Sequence, residues 1–88
     1  MSKISVKVRG PLDDLHTTIE ISEESYNFYE RVSGSISVGW DLATDCASLV
    51  MVNRDTGEVL HDLVCPPYFW RTYVEELIML YEANYYTK

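Results

Sequence analysis

The stretch that decides the fold is YFWRTYVEELIMLYEANYY, residues 68–86. Its apolar side chains recur at steps of three and four residues, which is the spacing of one face of an α-helix. The stripe consists of Trp70, Tyr73, Val74, Leu77, Ile78, Tyr81 and Tyr85. We therefore predict a long amphipathic C-terminal helix packed on a sheet. Four further apolar residues lie outside the stripe, and we expect some of them to meet a partner. They are Phe69, Met79, Leu80 and Tyr86.

The sequence before this helix has the two-residue period of β-strands. Residues 3–9 alternate strictly between apolar and polar side chains, and residues 15–21 repeat the alternation after a turn. We expect these two strands to pair with each other. Residues 36–41 alternate in the same way and predict a third strand.

The second half of the predicted sheet is a hairpin. Residues 46–52 are apolar on both faces, as expected of a central strand. A turn rich in Asn, Asp and Gly at 53–57 then leads into a partner strand at 59–64. The predicted fold class is α+β, an antiparallel sheet of about five strands with the C-terminal helix packed on it. We expect residues 1–88 to form one domain.

Residues 22–34 fit two structures. A short helix over 23–32 would begin after Ser22, a good capping residue, and would end before Gly34, which suits a C-terminal cap. The alternation of side chains over 26–29 fits a strand equally well, with a turn at Ser33 and Gly34. The sequence leaves both alternatives open.

Charge is distributed unevenly along the chain. The 88 residues include 14 acidic and 7 basic residues, for a net charge of -7. Residues 1–9 carry three cations and no acid, whereas residues 10–64 carry eleven acids and two arginines. Such a surface repels nucleic acid and anionic membranes, and it attracts basic protein surfaces. We predict a larger, basic-surfaced protein or complex as the partner, and neither nucleic acid nor a membrane.

No motif for catalysis, cofactor binding or metal binding is present in the sequence. It has no glycine-rich phosphate loop and no nucleophile elbow. The best metal candidate combines His61, Asp62 and Cys65, but four strand residues place His61 and Cys65 about 13 Å apart. A domain of this size buries only about 60–65% of its chain surface, which leaves little room for an enclosed active site. We predict no enzyme, no cofactor and no metal.

The sequence also predicts a cytoplasmic protein. No apolar run approaches the roughly 20 residues that span a bilayer, and residues 1–9 do not resemble a signal peptide. In a reducing compartment, Cys46 and Cys65 are expected to be free thiols.

Acidic and tyrosine side chains are the candidate partner-binding residues. Tyr and Trp often anchor interfaces, and this short chain has seven tyrosines and two tryptophans. The acids expected to supply the charge are Asp13, Asp14, Glu20, Glu23, Glu24, Asp41 and Asp45. The tyrosines expected near the surface are Tyr26, Tyr29, Tyr68, Tyr85 and Tyr86.

The segment from Cys46 to Tyr81 resembles the C-terminal half of the dGTP triphosphohydrolase inhibitor of short-tailed phages. The matching residues are Cys46 and Leu49, the turn Asn53-Arg54-Asp55-Thr56-Gly57, Leu60, Asp62 and the acidic, aromatic terminal helix. The compact acidic composition is also similar to that of anti-CRISPR proteins and other anti-defence inhibitors. The resemblance implies a phage-encoded protein that binds and disables a host enzyme, without catalytic residues of its own.

These observations predict a small acidic inhibitor used in host takeover. It would act in the host cytosol and block a basic substrate-binding surface of a larger enzyme or defence complex that handles nucleic acids or nucleotides. Two alternatives stay open. The protein could be an immunity protein that neutralises a cognate basic toxin, or a homo-oligomeric accessory module, such as a dimer through the C-terminal helix.

Overall fold

The structure, a computed structural model, describes residues 2–10 and 17–87. Its elements are β1 (Lys3–Val8), β2 (Thr17–Ser22), α1 (Glu23–Arg31), β3 (Gly34–Asp41), β4 (Cys46–Asn53), β5 (Val59–Cys65), a 3-10 turn (Pro67–Phe69) and α2 (Trp70–Tyr86). The α+β class, the five strands and the C-terminal helix are confirmed. Of the two alternatives for residues 23–32, the helix is the one formed.

The five strands form two antiparallel sheets. One sheet is β1–β2, and the other has the order β3–β4–β5 with the predicted central strand in the middle. The two sheets meet where β1 ends beside β3, at a parallel bridge between Arg9 and Ser37. There the Arg9 N–H donates to the Ile36 carbonyl (3.2 Å), and the Val38 N–H donates to the Arg9 carbonyl (2.8 Å). The predicted sheet is therefore divided in two at this junction.

One face of the strands forms the core together with both helices. Leu49 and Met51 of β4 are fully buried in the same cluster as Val74, Leu77 and Ile78 of α2. The opposite face has partly or fully exposed side chains, such as those of Ser37, Ser48 and Val64. The inward-facing residues of the alternating strands and the apolar stripe of α2 are thus buried in one common core.

Helix α1 begins at the predicted residue, Glu23, and ends at Arg31, one residue before the predicted end. The Ser22 side chain accepts a hydrogen bond from the Ser25 N–H (3.3 Å), which caps the helix, and two glutamates occupy the first turn. At the other end, Ser33 has the left-handed backbone conformation, with φ of 53°. The prediction that Gly34 provides the C-terminal cap is therefore wrong, and Gly34 is the first residue of β3.

Gly34 is required by the packing of Tyr29 instead. A Cβ atom on Gly34 would lie 2.7 Å from two ring carbons of Tyr29, closer than real Cβ contacts. The Tyr29 side chain is only 5% exposed, and its hydroxyl accepts a hydrogen bond from the Ile36 N–H (3.1 Å). Burial is the largest influence on this hydroxyl and raises the pKa of Tyr29. The expectation that Tyr29 lies near the surface is wrong, because α1 points it at the sheet junction.

A carboxylate joins α2 to the edge of β2. Glu75 Oε2 accepts a hydrogen bond from the Ser22 N–H at 2.7 Å. This hydrogen bond favours the charged form of the side chain and is the largest cause that lowers the pKa of Glu75. The contact fixes α2 beside the first residues of α1.

Replacing Gly34 by Ala is expected to destabilise the protein by about 1–3 kcal/mol, the usual cost of overpacking a close contact. Gly39→Ala is the matched control in the same strand, because a Cβ there would meet only the Ser48 carbonyl oxygen at 4.0 Å. Urea unfolding of both variants measures the difference. Equal stabilities would show that the Tyr29 ring can move aside without cost.

Glu75→Gln is expected to lower stability at neutral pH, with an effect that depends on pH. Because the pKa of Glu75 is lowered in the folded state, its contribution is present above the ordinary value of 4.5 and is lost as the pH falls through the folded pKa. Denaturation of wild type and variant at several pH values measures this. A stability difference that stays constant down to acidic pH would contradict a role for the charge.

Candidate partner-binding surface

The acids predicted to contact a partner do not form one patch. Glu23 and Glu24 follow Ser22, which faces Lys3 at the start of β1. Because β1 runs parallel to β3 and ends at the bridge to Ser37, the first turn of α1 and the β3–β4 turn lie at opposite ends of the protein. The register separates these ends by about ten strand positions, or roughly 30 Å.

The position of each predicted acid follows from the strand register. Glu20 lies exposed on β2, near the α1 end. Asp41 and Asp45 lie exposed in the β3–β4 turn at the other end. The remaining two predicted acids, Asp13 and Asp14, lie outside the described residues.

The β3–β4 turn and the 3-10 turn before α2 carry the two most exposed large apolar side chains of the described residues. We call this region the hairpin-end surface; its residues are Trp40, Asp41, Leu42, Asp45, Tyr68 and Phe69. Leu42 and Tyr68 are each 85% exposed, and Phe69 is 60% exposed. The Trp40 and Tyr68 rings meet edge to face with centroids 6.0 Å apart. This contact ties the two turns to each other.

The β3–β4 turn is ordered by its own hydrogen bonds. Asp41 Oδ1 accepts a hydrogen bond from the Ala43 N–H (3.0 Å), and Asp45 adopts the left-handed conformation with φ of 53°. Aspartate tolerates both arrangements better than most residues. The same two residues that close the turn therefore place carboxylates on either side of Leu42.

The 3-10 turn presents its aromatic side chains on a stiff backbone. Pro66 and Pro67 fix their own φ angles, and Pro67 is buried. The Phe69 N–H donates to the Pro66 carbonyl (3.1 Å), which closes the turn. Tyr68 and Phe69 can therefore meet a partner with little loss of conformational entropy.

The tyrosines at the end of α2 have internal contacts. The Phe28 ring of α1 lies 5.5 Å from Tyr85 and 6.0 Å from Tyr86 between centroids. Arg31 donates a hydrogen bond to the Tyr86 hydroxyl (2.6 Å) and its guanidinium lies over the same ring. Both tyrosines keep an exposed side, but their inner sides hold α2 on α1. Tyr26 is half-buried against the core.

A shallow depression lies between the two helices beside these rings. We call it the α1–α2 groove; its volume is about 280 Å³ and its lining residues are Glu24, Asn27, Phe28, Arg31, Glu82 and Tyr86. It brings together two predicted partner-binding residues, Glu24 and Tyr86. Because Arg31 already contacts the Tyr86 ring there, the groove is a weaker candidate than the hairpin-end surface.

The described side chains do not assemble a metal centre. Among residues 2–10 and 17–87, no group of three or more His, Cys, Asp or Glu side chains could hold an ion. His61 packs its ring against Tyr81, with centroids 6.2 Å apart. Cys65 is buried, and burial raises the pKa of its thiol, while Cys46 is partly exposed. Both cysteines are free.

Leu42 and Trp40 are the residues of this surface that the sequence did not single out, and Leu42 is the more exposed of the two. Its signal was a single large apolar side chain within an otherwise polar turn, directly after the alternation of β3 ends. Such a residue has no core position to occupy, so exposure is the expected outcome.

Comparison with known proteins found no family model, curated protein or solved structure that matches this chain. Neither helix in the described part of the chain combines the length and hydrophobicity needed to cross a membrane.

Substituting the exposed residue Leu42 by Ser is expected to change stability by less than about 0.5 kcal/mol, because little apolar contact is lost. Tyr86→Ala is expected to cost about 1 kcal/mol or more, because it removes ring contacts with Phe28 and the hydrogen bond from Arg31. Thermal and urea unfolding compare the two. A larger loss for Leu42→Ser would show that the leucine supports the fold rather than a partner contact.

Proposed function

We propose that this protein is a small acidic inhibitor that binds a larger enzyme or defence complex through the hairpin-end surface. The observation that carries the proposal is the exposure of Leu42 and Tyr68 at 85% each on two neighbouring turns, with the exposed Asp41 and Asp45 in the same turn as Leu42. Exposed apolar side chains that cluster in one region often mark an interaction site.

The energetics favour the apolar side chains as the anchors of the interface. Full burial of a leucine-sized side chain is worth about 1.5–3 kcal/mol, so three such side chains can offset a large share of the cost of association. Asp41 and Asp45 would serve best at the rim, where they stay solvated and speed the encounter with a basic surface. Leu42 and Tyr68 at the centre would exclude water.

The net charge of -7 indicates which kind of target fits. Enzymes that act on nucleic acids or nucleotides bind their substrates on basic surfaces, so an acidic protein can occupy such a surface in place of the substrate. The resemblance of residues 46–81 to a phage inhibitor of a nucleotide hydrolase agrees with this assignment. We infer a phage origin, anti-defence or anti-CRISPR use, and action in the host cytosol.

The test begins with capture of the target from a bacterial lysate by the tagged full-length protein. Leu42→Ser is expected to weaken binding of the purified target at least about tenfold, because it removes most of the apolar area that the leucine would bury at the interface. Met79→Ser is the matched control, because Met79 is also an exposed apolar residue but lies on α2. The captured protein must be an enzyme or complex whose activity falls on addition of the inhibitor and is restored by excess anionic substrate.

Charge removal provides the second arm of the same test. Asp41→Asn combined with Asp45→Asn keeps residues that suit the turn, and it should slow association and reduce its dependence on salt. Glu23→Gln combined with Glu24→Gln, at the opposite end, should have a smaller effect. The proposal fails if the captured protein stays fully active, or if the hairpin-end variants bind as tightly as wild type.

One observation favours a second candidate, a homo-oligomeric accessory module. Met79, Leu80 and Tyr86 of α2 are exposed apolar residues on the helix that would mediate a dimer. Sedimentation at micromolar concentration distinguishes the two, because a strict monomer leaves this helix without a second copy. An immunity protein would use the same acidic contacts, and a toxin gene directly beside this one would favour it.

A further inference from the structure

The outer edge of β5 exposes backbone hydrogen-bonding groups whose positions follow from the register. Ile36 and Val38 of β3 direct their backbone groups away from β4, as their bonds to Tyr29 and Arg9 show. Because backbone groups alternate along each strand, β4 uses its even residues toward β3 and its odd residues toward β5. Leu49 pairs with Leu63 in this way. The N–H and C=O groups of Asp62 and Val64 must therefore point to the open edge.

Side chains cap part of the outer edge of β3 and the Ser22 end of the outer edge of β2. On the outer edge of β3, Tyr29 accepts from the Ile36 N–H, and the Arg54 guanidinium donates to the Gly34 carbonyl (3.1 Å). On the outer edge of β2, Glu75 accepts from the Ser22 N–H. For residues 60–65 of β5, the described chain shows no backbone or side-chain hydrogen bond besides those of the ladder with β4.

The side chains at this edge do not protect it. Edge strands are usually guarded by lysines, prolines or a covering segment, because an open edge recruits another strand. Val64 is 64% exposed, and the single formal charge of β5 is that of Asp62. Pro66 follows the strand and leaves the edge between Leu60 and Val64 free of proline.

Charge decides which strand fits this edge. Asp55, Glu58 and Asp62 are exposed along the turn and the strand, and Arg54, the cation of that turn, is paired with Glu30 (3.1 Å). A second copy would bring two chains of charge -7 together and place like charges near each other. A strand with basic side chains gains attraction at the same position.

The geometry points to β5 as a strand-addition site for an extended, basic segment of the target protein. The incoming strand would exchange backbone hydrogen bonds with Asp62 and Val64, the mode known as β-augmentation. A lysine or arginine would lie beside Asp62, and an apolar or β-branched side chain would lie beside Val64. The inference rests on the proposed function for the basic character of the target, and it adds a second contact besides the hairpin-end surface.

The test uses two blocked heptapeptides as probes, in which threonine alternates with lysine and valine in turn, or with glutamate and valine in turn, so that a charged and an apolar side chain lie two residues apart on one face. Titration of the labelled full-length protein is followed by amide chemical shifts and hydrogen exchange. The lysine peptide should produce saturable shifts at Asp62 and Val64 and slow their exchange at least about fivefold, because a paired amide exchanges only after opening. The glutamate peptide should do neither.

Val64→Pro should abolish this binding, because it removes an N–H from the open edge and leaves the ladder with β4 intact. Thr18→Pro is the matched control, because even residues of β2 face the opposite open edge, as Ser22 does. If Val64→Pro does not fold, Val64→Lys provides the second test, since a lysine there repels the basic strand. Asp62→Asn should remove the preference for the lysine peptide.

Equal binding of the two peptides, shifts located elsewhere, or an unchanged titration in both Val64 variants would overturn the inference. Leu42→Ser should leave peptide binding unchanged, because it alters only the hairpin-end surface. Failure at β5 and failure of the proposed function are therefore separate results.

Discussion

The hydrogen bond from the Ile36 N–H to the buried Tyr29 hydroxyl determines how the two sheets meet. Tyr29 can reach this position because Gly34 has no side chain, and because Ser22 starts α1 in the register that points Tyr29 at β3. Without the hydroxyl, the Ile36 N–H would be left without a partner, at a cost of about 1–3 kcal/mol. The ring and hydroxyl together occupy the place where β1 would otherwise continue its pairing with β3.

This junction explains which parts of the second sheet stay uncovered. β1 pairs with β3 through the single bridge at Arg9. The rest of the described chain leaves two parts of the β3–β4–β5 sheet uncovered. One is the β3–β4 turn, where Leu42 projects between two aspartates. The other is the outer edge of β5. The two helices, by contrast, cover the inner face of the sheets, and their aromatic residues contact each other.

Most of the fold could be predicted from the sequence, because strand alternation and the stripe of α2 are local patterns that the core reproduces. The local sequence of α1 fits a helix or a strand, and a tertiary contact decides between them. The helix directs Tyr29 at β3, and this contact cannot be read from the local pattern. The division of the sheet depends on the long-range bridge between Arg9 and Ser37, and the role of Gly34 depends on its packing against Tyr29. Neither contact leaves a periodic pattern in the sequence. The same limit applies to the candidate site: acids and tyrosines could be named, but only the register shows that Glu23 and Asp41 lie at opposite ends, and only burial separates Tyr29 from Tyr68.

Hydrogen–deuterium exchange of the free protein and of its complex with the captured target tests the central claim most directly, because it locates the bound surface without any substitution. The account predicts slower exchange on binding in residues 40–45 and 68–71, with Asp62 and Val64 also protected. Protection confined to α1 and to residues 82–86 would contradict it, since the partner would then occupy the α1–α2 groove and leave the hairpin-end surface free.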